Sequence, residues 1–146
     1  MEVRRVREND HAFIQDILEN YIDNPDRKVT ALANSHIEKL LGDDRTYLFA
    51  AFTDVSVIGY ALAYRFPSLY AAEYVAYLYD IEVSPAHRRK GAGRLLIETV
   101  ISHLRRDDVK EIWLGTGVDN KEGQGLFSAT GAEKGKETFN EYTYYL

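Results

Sequence analysis

The chain has 146 residues, 45% hydrophobic and 28% charged, a globular balance with room for one substantial core but not two. No apolar stretch approaches the roughly 20 residues that span a bilayer, and the charged opening MEVRRVREND lacks the apolar segment of a signal peptide, so neither a membrane partner nor secretion is expected and the cytoplasm is the default compartment. A net charge of −5, from 18 basic and 23 acidic side chains, argues against a nucleic-acid partner, and the absence of cysteine removes disulfides, thiolate metal sites and a cysteine nucleophile.

Taken in chain order, Glu2 to Arg7 reads as a short strand. Asn9 and Asp10 can cap a helix whose apolar stripe is Phe13, Ile14, Ile17 and Leu18. Asn24-Pro25-Asp26 breaks the chain, and Thr30 starts a second helical pattern with Leu32, Ile37, Leu40 and Leu41 that stops near Gly42. Residues 47–52 and 57–64 are apolar and aromatic strands, joined as a hairpin through Thr53-Asp54-Val55-Ser56. Residues 74–83 form a third long strand, halted at Ser84-Pro85 because proline lacks the N–H that a ladder needs. From Gly91 the period becomes helical, with Leu95, Leu96, Val100, Ile101 and Leu104 on one face as far as Arg105. Residues 111–114 make a short strand, and 120–130 a helix that Gly131 closes in a left-handed cap. Residues 139–145 alternate aromatic and polar side chains and close as a strand able to pair across a homodimer. This order predicts a single mixed α/β domain over residues 1–146.

The chemistry concentrates in residues 83–96, which run strand, proline stop, basic glycine-containing loop, helix. The first N–H groups of a helix have no intrahelical partners and the dipole adds positive potential, so the turn is an anion site suited to phosphate. Gly91 and Gly93 carry no side chain to hold a diphosphate away, and Arg88, Arg89, Lys90 and Arg94 add charge around it. Two other phosphate motifs fail: a dinucleotide fingerprint needs glycine where Leu96 stands, and the P-loop triplet Gly-Lys-Ser/Thr does not occur.

Val83-x-Pro85-x-x-Arg88-x-x-Gly91-x-Gly93 resembles the acetyl-CoA signature of the GNAT superfamily of N-acetyltransferases, and the order of elements is similar to that fold, a mostly antiparallel central sheet flanked by about four helices. Asn120, followed by Phe127 and Gly131, resembles a second segment of these enzymes. The resemblance implies that the amides of Arg89, Lys90, Gly91, Ala92, Gly93 and Arg94 hold the CoA pyrophosphate. It also implies that the backbone around Ile81 and Val83 pairs with the pantetheine arm, and that Asn120 contacts that arm. A backbone N–H near the end of the 74–83 strand would polarise the acetyl carbonyl. Phe127 departs from the family, standing where many members have a tyrosine that protonates the departing thiolate; a CoA thiol, with a pKa of about 8.5 like cysteine, can also leave unprotonated.

An amine acceptor arrives protonated, and a carboxylate can attract it and take its proton. Asp80 and Glu82, on the strand that lines the expected site, are the candidate acids. The run from Tyr77 to Val83, with Ser84 and His87-Arg88-Arg89, resembles type I aminoglycoside 3-N-acetyltransferases, as does the hairpin Leu48-Phe49-Ala50-Ala51-Phe52 with Ile58-Gly59-Tyr60-Ala61-Leu62-Ala63. That likeness implies a small polycationic acceptor of aminoglycoside or polyamine type. The alternatives are a protein N-terminus or lysine as acceptor, and, from Phe127, a catalytically silent acyl-CoA-binding module. The four histidines, His11, His36, His87 and His103, show no metal-ligand spacing, so no metal is expected. The eleven tyrosines read as core and sheet surface.

Overall fold

The computed structural model describes residues 1–21, 34–54 and 56–146. The expected chain break at Asn24-Pro25-Asp26, the second-helix positions Thr30 and Leu32, and Val55 of the hairpin turn lie outside them. The chain divides into two compact units, residues 1–115 and 116–146.

The first unit runs β1 (Glu2–Arg5), α1 (His11–Tyr21), α2 (Asn34–Gly42), β2 (Thr46–Thr53), β3 (Ser56–Pro67), β4 (Tyr74–Val83), a single 3-10 turn (Pro85–His87), α3 (Ala92–Arg106) and β5 (Val109–Trp113). Its sheet has the order β1-β2-β3-β4-β5; the first four strands are mutually antiparallel and β5 joins β4 in parallel. The result is a mixed α/β fold with a mostly antiparallel sheet.

The sheet is covered on both faces, which is why β2 is buried almost throughout. On one face Leu48, Ala50, Phe52, Val57 and Tyr60 pack with Ile14 and Ile17 of α1 and Ile37 of α2. On the other, the Phe49 ring meets His103 of α3 edge-on at 4.7 Å. The buried stripe of α3 is Ala92, Leu96, Ile97, Val100 and Leu104. Ile97 thus takes an inward place that the sequence pattern assigned to Leu95 and Ile101, both of which are half-buried. Asp10 precedes α1 as expected and its carbonyl accepts the Phe13 N–H. Its carboxylate, however, accepts from both guanidinium nitrogens of Arg4 and from the Arg7 N–H rather than capping the helix.

The second unit contains α4 (Lys121–Ala129). Gly131 follows the helix at φ 92°, as its position predicts. The Ala132 N–H reaches the Phe127 carbonyl and the Gly131 N–H that of Ser128, which satisfies two of the helix's last carbonyls. The expected closing strand over 139–145 is a correction. Residues 135–146 adopt no regular secondary structure apart from a bend at Lys136, and Phe139 and Tyr145 are 82% and 94% exposed. Alternation shapes two faces for a strand, but a strand forms only where a neighbour takes its N–H and C=O groups. No described residue pairs with this one. Among the described residues no helix is long and apolar enough to cross a membrane.

Candidate active site

The site is organised by an irregularity in β4. Leu62 of β3 faces Asp80, while the next residue, Ala63, faces Leu78, so Tyr79 is an extra residue bulged out of the ladder. A bulge resets which side chains share a face. The Tyr79 ring meets Tyr64 edge-on at 5.8 Å, and the following residue, Asp80, accepts a 2.5 Å hydrogen bond from the Tyr60 hydroxyl. Tyr60 and Tyr64 lie two places either side of Leu62 on β3, so Tyr79 and Asp80, though consecutive, both look onto the face covered by α1 and α2. Glu82, directly opposite Tyr60, lies there as well. Ile81 and Val83 therefore turn to the opposite face, and both are half-buried.

A second irregularity opens the sheet. β5 pairs with Tyr74, Val75, Ala76 and Tyr77 of β4 and ends at Trp113. Among the described residues no strand pairs with that side of β4 from Leu78 to Val83. This stretch leads straight into the basic turn. The Ser84 N–H extends the ladder to the Ile58 carbonyl, and Ser84 Oγ lies 2.7 Å from His87 Nδ1, closing the turn on itself. Arg89 and Gly91 then adopt left-handed φ values of 60° and 89°. Gly91 is the N-cap of α3 and has no side chain with which to cap its N–H groups. A turn of this kind, opening onto a helix N-terminus, presents backbone donors to an anion.

The basic side chains are less available than their spacing implied. Arg88 donates from Nε to the Val83 carbonyl at 2.9 Å and from its guanidinium to Glu82 Oε1 at 2.7 Å. Lys90 donates to the Ala86 carbonyl at 2.9 Å, and Arg94 pairs with Glu98 at 3.4 Å. The backbone of the turn, more than its cations, is what is presented. Glu82, paired with Arg88, is electrically balanced, whereas Asp80 is exposed and its described partner is a neutral phenol.

Tyr60 escaped the sequence reading, since an alternating aromatic strand gives no sign of which tyrosine meets an acid. The residue is 5% exposed and its ring meets that of Tyr21 of α1 at 5.9 Å and 78°. Burial first, and then the bond to Asp80, hold its hydroxyl protonated well above the ordinary tyrosine range. Tyr21 in turn donates to the Val57 carbonyl at 2.6 Å. A cleft of about 580 Å3 opens beside it, lined by Asp16, Asn20, Tyr21, Val57 and Ser84 among others, but by neither Asp80 nor Glu82.

In the second unit, Asn120 is the N-cap of α4: Oδ1 accepts the Gly123 N–H at 2.9 Å and Nδ2 donates to Thr116 Oγ1 at 3.0 Å. Phe127 is half-buried on that helix. Among the described residues no three His, Asp or Glu side chains gather as a metal site would require.

The sequence matches the acetyltransferase (GNAT) family over residues 10–132. No curated protein matches the chain. Among solved structures the fold is similar to an aminoglycoside acetyltransferase from an uncultured soil metagenomic sample, in complex with sisomicin, with a TM-score of 0.88 and 18% identity over 99% of this chain and 95% of that one. It is similar to the aminoglycoside N-acetyltransferase AAC(6')-Iy in complex with CoA, with a TM-score of 0.76 and 20% identity over 99% of this chain and 100% of that one. A ribosomal-protein-alanine N-acetyltransferase from Brucella melitensis biovar Abortus 2308 gives a TM-score of 0.73 and 17% identity over 97% and 98% of the two chains. At such identities the likeness is one of fold.

Proposed function

The chain belongs to the acetyltransferase (GNAT) family, and from that premise we propose that it moves the acetyl group of acetyl-CoA, by direct attack, to a primary amine of a small cationic acceptor of aminoglycoside or polyamine type. The observation that carries this reading is the stretch of β4 without a β5 partner, running from Leu78 to Val83 into the left-handed turn at Arg89 and Gly91. An extended arm can pair with such an edge while a pyrophosphate takes the amides of residues 89–94. We read residues 1–146 as one transferase domain, in keeping with a family match over 10–132.

When bound, acetyl-CoA supplies an activated acetyl group and a thiolate leaving group. The protein's own task is then to deliver a neutral amine. Asp80 is the acid we assign to it, because it is exposed and carries no cationic partner among the described residues, whereas Glu82 is paired with Arg88. Asp80 attracts the ammonium form and accepts its proton, directly or through water. The amine nitrogen bonds the acetyl carbon as the carbon–sulfur bond breaks; the thiolate leaves without a proton from Phe127, which has none to give, and the nitrogen's second proton passes to water. The solved neighbour described with sisomicin supports a polycationic acceptor.

The test is release of CoA thiol from acetyl-CoA against aminoglycosides, polyamines, amino sugars and short peptides, with Asp80→Asn alongside. Release with a small amine, lost in Asp80→Asn while acetyl-CoA still binds, is the expected result. Release with peptides alone would move the acceptor to a protein amine. Tight acetyl-CoA binding without release from any acceptor would leave an acyl-CoA-binding module in place of an enzyme.

A further inference from the structure

An aspartate on a strand surface has two rotatable bonds, and nothing in its own strand fixes where its carboxylate points. Asp80 differs because Oδ2 accepts the Tyr60 hydroxyl at 2.5 Å. Tyr60 itself cannot wander. Its ring belongs to the core cluster between the sheet and α1, and the Tyr21 ring stands edge-on to it at 5.9 Å. A buried hydroxyl without a partner is costly, so the pairing is one the core enforces. The bulge at Tyr79 brings the acid to it. Among the described residues Oδ1 of Asp80 accepts no hydrogen bond.

We infer that Tyr60 is a positioning residue for acetyl transfer: its buried hydroxyl anchors Oδ2 of Asp80 and leaves Oδ1 to the incoming amine. The inference rests on the transferase reading above and adds a residue that never touches the reacting atoms. Tyr60 suits the task because it keeps its proton and so always donates. Two nearby ionisable groups on this face are directed elsewhere: Glu82 to Arg88, and the Tyr21 hydroxyl from α1 to the Val57 carbonyl. Loss of the hydroxyl should therefore loosen Asp80.

Tyr60→Phe keeps the ring and removes the donor. The expected result is a fall of about tenfold in kcat/KM for the amine, with no change in KM for acetyl-CoA. In an Asp80→Asn background the same substitution should cost almost nothing further, because both changes act through one carboxylate. Full additivity, or an equal loss of acetyl-CoA affinity, overturns the inference. Asp80→Glu, which keeps the charge but carries it away from Tyr60, is expected to lose activity likewise; a wild-type rate there overturns it without any change in the core. The Asp80 carboxyl carbon resonance in the ligand-free protein reads the hydrogen bond without turnover, and Tyr60→Phe should shift it. An unmoved resonance overturns the inference even where amine turnover is found. A moved resonance in a protein that acetylates no amine overturns the transferase reading instead.

Discussion

Gly59 and Glu82 approach so closely across β3 and β4 that a Cβ on Gly59 would stand 2.7 Å from the Glu82 carbonyl oxygen and 3.1 Å from Val83 Cγ2. Backbone cannot yield as the end of a flexible side chain can, so Gly59→Ala must push β4 away just where Asp80 and Val83 are placed. Overpacking of this kind costs about 1–3 kcal/mol. Thermal melting should show a clear fall in Tm, and calorimetric titration should show weaker acetyl-CoA binding, since the displaced stretch is the proposed seat of its arm. An unchanged Tm would mean that the strands have slack there.

The division of labour between the two acids gives a sharper contrast. Glu82→Gln breaks an ion pair whose members are 37% and 42% exposed, so its effect on stability should stay below about 1 kcal/mol. If Asp80 alone takes the amine's proton, Glu82→Gln should leave kcat nearly intact while Asp80→Asn lowers it by roughly a hundredfold or more. Arg88, released from Glu82 in that variant, keeps its bond to the Val83 carbonyl, so acetyl-CoA affinity should change little. Equal loss in the two variants would make the acids a pair rather than an actor and a bystander.

How much of this could be read before the structure depends on what each feature rests on. β4 was legible end to end, because an apolar aromatic run met Pro85, which stops a ladder. The turn at Gly91 and the cap at Gly131 were legible because glycine marks left-handed backbone. The bulge at Tyr79 was not. It arises from register against β3, and no residue type in the run Tyr77-Leu78-Tyr79-Asp80 announces it. The pairing of Tyr60 with Asp80 follows from that register and was hidden with it. Arg88 and Lys90 were read as cations for an anion because composition does not tell that each also reaches a nearby backbone carbonyl, that of Val83 and that of Ala86. The strand over 139–145 was wrong for the converse reason: its pattern is local, but a strand's existence depends on a neighbour.

Alkaline pH should weaken the fold through Tyr47. Its hydroxyl donates to Asp107 Oδ2 at 2.7 Å, and its pKa is pushed up from 10.0 to about 12, by burial first and by Asp107 second. Below pH 10 both folded and unfolded chains hold this proton, and the contribution to stability is complete. Above it the unfolded chain releases the proton and the folded one does not, so stability falls as pH rises from 10.0 toward about 12. Urea unfolding across that window should show the decline, and Tyr47→Phe should flatten it. Tyr60 and Tyr64 shift in the same direction, so the slope should shrink without vanishing. A slope equal in both proteins would show that Tyr47 titrates normally.

Asn120 has two candidate jobs that one pair of substitutions separates. As the N-cap of α4 it needs an oxygen for the Gly123 N–H, and its side chain lies so close beneath Gly123 that a Cβ there would come within 2.5 Å of Nδ2. Asn120→Ala removes the cap and should destabilise the second unit by about 1 kcal/mol. Asn120→Asp keeps the oxygen, loses the Nδ2 bond to Thr116, and brings a negative charge to a helix start, which favours it. Hydrogen exchange of the α4 amides should therefore rise in the alanine variant and not in the aspartate one. Acetyl-CoA affinity supplies the second axis. If Nδ2 also serves the CoA arm, affinity falls in both variants although only one frays the helix; if Asn120 is a cap alone, affinity follows exchange and the aspartate variant binds like the wild type.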